Sequence, residues 1–182
     1  MGTALVCVMA ALPGTAQANR PYEHFRDSVH FSETGQECGM PVSYETDARF
    51  HIIIKPVHDS DGQAFLGQEN YRSRTVVTNT VTKRWMVFRM VGTDKETRAT
   101  HIQGNVWAFD AQSTGALFTV MDSNGKVVLR DRGRLTFRAV FDTLGDGKPG
   151  GTFLSEELTG RHGKFPGFDE ELVCELFTEL IG

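Results

Sequence analysis

The alternation of apolar and polar residues predicts a chain built mainly from long antiparallel strands. The clearest pattern runs from Val127 to Phe141, preceded by an extended run over Leu117–Asp122. Alternate positions of this segment are mostly apolar: Val127, Leu129, Leu135, Phe137, Ala139 and Phe141. A strand with one buried and one hydrated face shows this alternation. The Asn124–Gly125 pair between the two runs predicts a β-hairpin with a type I′ turn.

Similar patterns extend over most of the remaining chain. Further strands are predicted over Ser28–Phe31, Pro41–Val57, Phe65–Val81, Trp85–Val91, Glu96–Phe109 and Thr152–Thr159. Turns are predicted at His58–Gly62, Gly92–Lys95 and Gly145–Gly151, and a loop at Asp110–Gly115. Short connections without crossover helices indicate one antiparallel sheet of about eight strands. We expect an up-and-down β-barrel, with a β-sandwich as the alternative.

The periodicity changes after Pro166–Gly167. From residue 168 to residue 181, apolar residues recur at spacings of three and four, which predicts a C-terminal α-helix. Acidic residues in its first turn suit the positive end of the helix dipole.

The first 18 residues resemble a secretory signal. Ala4–Leu12 is apolar and too short to span a bilayer, and Ala16–Gln17–Ala18 is a typical cleavage site. We therefore expect a secreted protein whose residues 19–182 form a single domain. The alternative is that this apolar run forms a buried N-terminal strand or helix.

Removal of the leader would remove Cys7 and leave two cysteines, Cys38 and Cys174. An even pair in an exported chain predicts one disulfide. Two separated cysteines without nearby histidines make a poor metal site, so we expect no metal.

Composition limits the classes of partner. The chain has 182 residues, 40% hydrophobic content and a net charge of −4, as in an ordinary globular protein. This charge gives no overall electrostatic footprint for nucleic acid or anionic lipid. No phosphate loop, catalytic triad or zinc motif is present in the sequence, so we expect neither a nucleic-acid partner nor a cofactor.

Asp131 is the most conspicuous polar candidate, because its parity places a carboxylate on the apolar face of its strand. Such a group is costly unless it is paired or hydrogen-bonded. It could anchor a ligand or transfer a proton. Alternatively it could pair with an inward Arg89, or accept backbone hydrogen bonds near Gly133.

A second candidate set occupies one parity of the predicted fourth strand. His101, Gln103, Asn105 and Trp107 would line an amphipathic pocket if this face points inward, with Tyr71 and Arg89 as further candidates. The alternative is a solvated strand. Four outward arginines, Arg130, Arg132, Arg134 and Arg138, could hold an anionic polymer or headgroup, or could pair with acids on neighbouring strands.

Several short segments resemble those of a family of small secreted bacterial proteins. They are Phe25–Phe31, Cys38–Gly39, Val128–Gly133, Phe141–Asp146, Pro149–Gly151 and Pro166–Asp169. The resemblance implies export and a shared fold, and it implies no activity. The predicted architecture is also similar to lipocalin-like and allene-oxide-cyclase-like barrels, which is an analogy of fold alone.

Three functions follow from these patterns. The first is an exported barrel that binds a small hydrophobic or amphipathic molecule inside. The second is a surface-interaction or inhibitor protein with a filled barrel, whose protein partner the sequence does not identify. The third is a cyclase or isomerase in which Asp131 or His101 moves a proton. We expect a binding protein rather than an enzyme.

Overall fold

The computed structural model describes residues 23–58 and 60–182. The predicted leader, residues 1–18, lies outside them. The elements in chain order are β1 (Glu23–Glu37), β2 (Met40–Pro56), β3 (Phe65–Asn79), β4 (Trp85–Gln103), β5 (Val106–Met121), β6 (Val127–Arg130), β7 (Arg132–Asp142), β8 (Thr152–Lys164), a 3₁₀ turn (Pro166–Phe168) and α1 (Glu170–Ile181). The mainly-β class, the eight strands and the C-terminal helix are confirmed.

The strands form one antiparallel sheet. Their order is β1-β2-β3-β4-β5-β7-β8, and β6 pairs with β5. The sheet is open, with β1 and β8 at its two edges. Except at β5 and β7, which β6 separates in the chain, neighbours in this path are consecutive strands, so short hairpins specify nearly all of the topology.

One face of the sheet, here called the inner face, carries the helix and the main core. Val42, Val77, Met86, Val120 and Leu129 are buried there against Phe177 and Ile181 of α1. The side chain of Asp169 caps the helix by accepting from the Leu172 N–H group at 3.1 Å. The apolar faces predicted for the strands and for the C-terminal helix therefore pack against each other.

A second core cluster lies at the opposite end of the inner face. Ala64, Trp107 and Phe109 are buried together, and Val57 and Leu66 pack against them. The segment joining β2 to β3 thus covers one end of the inner face, while α1 covers the other.

The predicted disulfide is present. Cys38, in the turn between β1 and β2, is bonded to Cys174 of α1, with an S–S distance of 2.01 Å and a sequence separation of 136 residues. This crosslink attaches the helix to the edge hairpin.

Two predicted turns are wrong. Gly92–Lys95 lies within β4 and Asp110–Gly115 lies within β5, whereas the actual turn between these strands is at Gly104–Asn105. The predicted strand Glu96–Phe109 is therefore a hairpin. Polar and small residues in the middle of long strands resemble turn signals, and only pairing with neighbouring strands distinguishes the two.

The central hairpin is confirmed, but its turn differs from the predicted type. Gly125 has a φ of 82°, while Asn124 does not have a positive φ, so the turn is not type I′. The Asp122 carboxylate accepts from the backbone N–H groups of Asn124 and Lys126 at 2.9 and 2.8 Å. The following strand is interrupted at Asp131, which divides it into β6 and β7.

Four glycines form one register row across the sheet. Gly92 pairs with Gly115, Gly115 with Gly133, and Gly133 with Gly163. A Cβ at Gly115 would collide with the Val91 carbonyl oxygen. Backbones approach so closely along this glycine row that no side chain fits at these positions.

Removing the disulfide should lower stability strongly. In the chain-entropy model, a loop of this length stabilises the fold by about 4–5 kcal/mol. We expect the double variant Cys38→Ser/Cys174→Ser to unfold at a clearly lower denaturant concentration than the oxidised wild type. Reductant should lower the wild-type midpoint and leave the variant unchanged. Equal midpoints for both proteins would contradict the structural role of the crosslink.

Gly115→Ala should destabilise the protein by about 2–4 kcal/mol, because the φ of +131° and the clash with backbone both oppose a side chain. Gly35→Ala is the matched control, since its Cβ would meet only Tyr44 Cε2 at 3.5 Å. Chemical denaturation of the two variants measures the difference. Similar stabilities for both would refute the close approach.

Candidate functional site

A row of polar side chains crosses the middle of the inner face, between the two core clusters. Glu69 of β3 pairs in register with Asp94 of β4, and Asp94 pairs with Ser113 of β5. Glu96 lies two residues beyond Asp94 and shares its face. We call Glu69, Asp94, Glu96 and Ser113 the carboxylate row.

Asp94 is a half-buried carboxylate with incomplete hydrogen bonding. Burial raises the pKa of Asp94, and a hydrogen bond with Ser113 opposes this rise. The Oδ1 atom of Asp94 is buried and has no hydrogen-bond partner in the described chain. Buried acceptors are normally satisfied, so this atom is positioned to accept a hydrogen bond from a bound molecule.

Glu96 has a strongly raised pKa. Burial raises its pKa from 4.5 to about 7, and the backbone N–H of Gly67, which donates to Oε2 at 2.5 Å, acts in the opposite direction. A carboxyl group with this pKa exchanges its proton near neutral pH. It can donate a hydrogen bond when protonated and attract a cation when ionised.

Small residues and the Tyr71 ring surround these acids. Gly92 and Ala111 neighbour the carboxylate row on its own face. A Cβ at Gly92 would lie only 2.6 Å from the Tyr71 hydroxyl oxygen, so the Tyr71 ring occupies the space above that glycine. Tyr71, a predicted site residue, is buried on the inner face beside the row.

Trp107 supplies a second unsatisfied polar atom on the same face. The residue is only 8% exposed, and its indole Nε1 has no hydrogen-bond partner within the described part of the chain. Its ring contacts the His101 ring, with the centroids 4.9 Å apart. The inner face thus presents a free acceptor at Asp94 and a free donor at Trp107.

The structure brings together only part of the predicted pocket. His101 and Trp107 are register partners across the β4–β5 hairpin. Gln103 and Asn105 are exposed at its turn, away from the carboxylate row. His101 is itself exposed and bonded through Nε2 to the Gly104 carbonyl oxygen at 2.8 Å.

The buried Asp131 carboxylate holds two parts of the fold together. It is 2% exposed and accepts a hydrogen bond from the Gly167 N–H at 2.8 Å, which holds the 3₁₀ turn against the break between β6 and β7. Burial raises the pKa of Asp131, while Gly167 and the charge of Arg161 oppose the rise. Asp131 therefore lies at the end of the inner face that α1 covers. His101 lies at the other end, near the turn between β4 and β5, so the two side chains do not meet.

Arg89 does not point inward as predicted. It is the register partner of Arg74, and both lie on the outer face, opposite to Phe88. Pairing between Arg89 and Asp131 is therefore excluded by strand parity.

The carboxylate row was missed in the sequence because two of its four residues, Asp94 and Ser113, fell in segments interpreted as connections. Asp94 was assigned to a turn and Ser113 to a loop. The one available signal was the pair of acids Asp94 and Glu96, two residues apart and hence on one face of any continuous strand.

Within residues 23–58 and 60–182, no group of three or more His, Cys, Asp or Glu side chains is arranged to hold a metal ion. Across the same residues, no helix has the length and apolarity needed to cross a membrane.

Comparisons with protein-family models, curated proteins and solved structures give no match. The resemblance to small secreted bacterial proteins thus remains an expectation.

The raised pKa of Glu96 predicts a stability that falls as pH rises. Below pH 4.5 the group is protonated in both folded and unfolded chains, and between pH 4.5 and about 7 only the folded chain retains the proton. The loss approaches about 3 kcal/mol above pH 7. Glu96→Gln should remove this component, so the variant should be more stable than wild type at pH 8.

Denaturant unfolding from pH 4 to pH 8 measures this difference. Glu156→Gln is the control, because Glu156 lies on the same face and is exposed. Parallel pH profiles for wild type and Glu96→Gln would contradict the assignment.

Proposed function

We propose that the protein is a secreted β-barrel that binds a small, partly apolar molecule in its interior. The molecule would carry an amine or hydroxyl donor that faces Asp94. The observation that carries this proposal is the buried, unpartnered Oδ1 of Asp94 on the face that also holds the unpartnered indole N–H of Trp107. A ligand that satisfies one or both atoms would regain hydrogen bonds that the protein alone lacks.

The apolar surroundings support an amphipathic ligand. Phe109 and Trp107 lie beyond the carboxylate row at one end, and Phe88 and Phe118 are in ring contact toward the helix end, with centroids 5.0 Å apart. Small-molecule sites typically combine such apolar walls with a few polar groups.

The proposal includes closure of the sheet into a barrel through β1 and β8. Apolar side chains on the inner face of both edges are 41–47% exposed: Phe25 and Phe31 on β1, and Phe153 and Leu158 on β8. Pairing of the two edges would bury them and satisfy unpaired backbone groups. Because the path contains seven alternating strands, β1 and β8 run in the same direction, so closure would form a parallel pair.

Secretion is supported by the apolar leader with its cleavage site and by the Cys38–Cys174 disulfide. Disulfides persist mainly in oxidising compartments.

Native mass spectrometry of the protein purified from its own host tests the proposal directly. A mass excess that disappears on denaturation would reveal a bound molecule and identify it. A bare protein that also fails to bind the probes below would favour a filled barrel acting through its surface, for which the exposed apolar edges would be the interface.

Three six-carbon probes with one tail and different head groups test the role of Asp94. We expect hexylamine to bind more tightly than hexanol, and hexanoate not to bind, because the head group faces carboxylates. Titration calorimetry at pH 8, where Glu96 is ionised, measures the order. Asp94→Asn should reduce the preference for amine over alcohol about tenfold.

Asp27→Asn is the matched control, since Asp27 lies on the inner face of β1 but is exposed. Its probe affinities should equal those of the wild type. Binding of hexanoate as tight as that of hexylamine, or equal effects of the two substitutions, would overturn the proposed ligand chemistry.

A further inference from the structure

The outer face of the sheet brings arginines into direct opposition. Arg49 of β2 is the register partner of Arg72 of β3, and Arg74 of β3 is the register partner of Arg89 of β4. Like charges directly opposite each other on one sheet face are destabilising. Two such pairs on adjacent positions therefore carry a cost that the fold by itself does not explain.

Two more arginines extend this set along a diagonal. Arg26 lies on β1 opposite His51, one row from Arg49, and Arg130 lies on β6 opposite Thr119, in the row of Arg89. We call the set the arginine band: Arg26, Arg49, Arg72, Arg74, Arg89 and Arg130. At about 4.8 Å per strand, the band extends about 24 Å from β1 to β6.

The band is not neutralised by neighbouring acids. None of its six arginines forms an ion pair within the described residues. Asp47 is the register partner of Arg74, but its carboxylate is bonded to His30 at 3.0 Å. By contrast, Arg138 elsewhere on the same face pairs with Asp110 at 3.5 Å.

Two independent observations indicate a ligand at the band. The Nε atom of Arg130 is buried and has no hydrogen-bond partner in the described chain. A surface depression of about 370 Å³ lies between Arg26, Arg49 and Arg72, with His51 and Asn70 also in its wall. The unpartnered donor lies at the β6 end of the band and the depression at its β1–β3 end, and both features suit anionic groups spaced along the band.

We propose that the arginine band binds an acidic polysaccharide, that is, a linear glycan bearing sulfate or carboxylate groups. Guanidinium groups bind such planar or multi-oxygen anions through paired N–H donors. The band is long and only one or two arginines wide, which suits a chain lying across the strands. The same rows contain no outward Phe, Tyr or Trp, so they lack the stacking platforms of single-stranded nucleic-acid sites.

The band is separate from the carboxylate row, because side chains of opposite parity point to opposite faces. The protein's net charge of −4 therefore masks a local concentration of positive charge.

Fluorescence anisotropy with a labelled heparin octasaccharide tests the band, using the mature protein with its disulfide intact at 50–300 mM NaCl. We expect Arg49→Gln/Arg74→Gln to lower the affinity at least tenfold. The slope of log affinity against log salt should become shallower by about 1.5 to 2, as expected for the loss of two ionic contacts. Since each substitution breaks a like-charge pair, the melting temperature should stay equal or rise.

Arg98→Gln/Lys148→Gln is the matched control, with the same charge change at two exposed positions away from the band: Arg98 on the far part of β4 and Lys148 in the turn between β7 and β8. Its affinity should remain within twofold of the wild type. An equal loss of heparin affinity in both double variants would show that only net charge matters, which would overturn the site. Absence of heparin binding at 50 mM NaCl would also overturn it, as would binding of the oligonucleotide dT12 as tightly as heparin.

Discussion

Close approach of backbones along the glycine row is the constraint on which the inner face depends. Gly92, Gly115, Gly133 and Gly163 meet in register across four strands, and added Cβ atoms there would collide with backbone or with Tyr71. Gly92 and Gly115 adjoin Asp94 and Ser113 on the inner face, and the Tyr71 ring lies above Gly92. The glycine row therefore places Tyr71 directly beside the carboxylate row.

Two apolar clusters support this polar middle. The helix covers one end of the inner face, and the segment between β2 and β3 covers the other. The half-buried carboxylates of Asp94 and Glu96 oppose folding, because desolvation penalises their charge. Marginally stable proteins retain destabilising groups mainly where function uses them. The opposed arginine pairs on the outer face are also destabilising, and the same reasoning assigns them a function.

The errors of the sequence analysis are informative because they fall on the candidate site. Gly92–Lys95 and Asp110–Gly115 have turn-like composition, yet both lie in mid-strand. Within these segments, Asp94 and Ser113 lie on the inner face because of strand pairing, which local propensity does not predict. Conversely, the Gly104–Asn105 turn was not predicted. His101 and Trp107 lie on one face as register partners across this turn, and they would also share a face in one continuous strand, so the alternation does not reveal the turn.

The amino-acid sequence by itself determined the strand-rich class, the central hairpin, the amphipathic helix and the Cys38–Cys174 pairing. These features depend on local periodicity or on a count of two cysteines. Only the tertiary structure decided that Glu69, Asp94 and Ser113 share one row, that Arg89 faces Arg74 rather than Asp131, and that Asp131 holds Gly167. The reason is physical: parity assigns a residue to a face, whereas register between strands decides which residues meet, and register depends on bulges and turns distant from either partner.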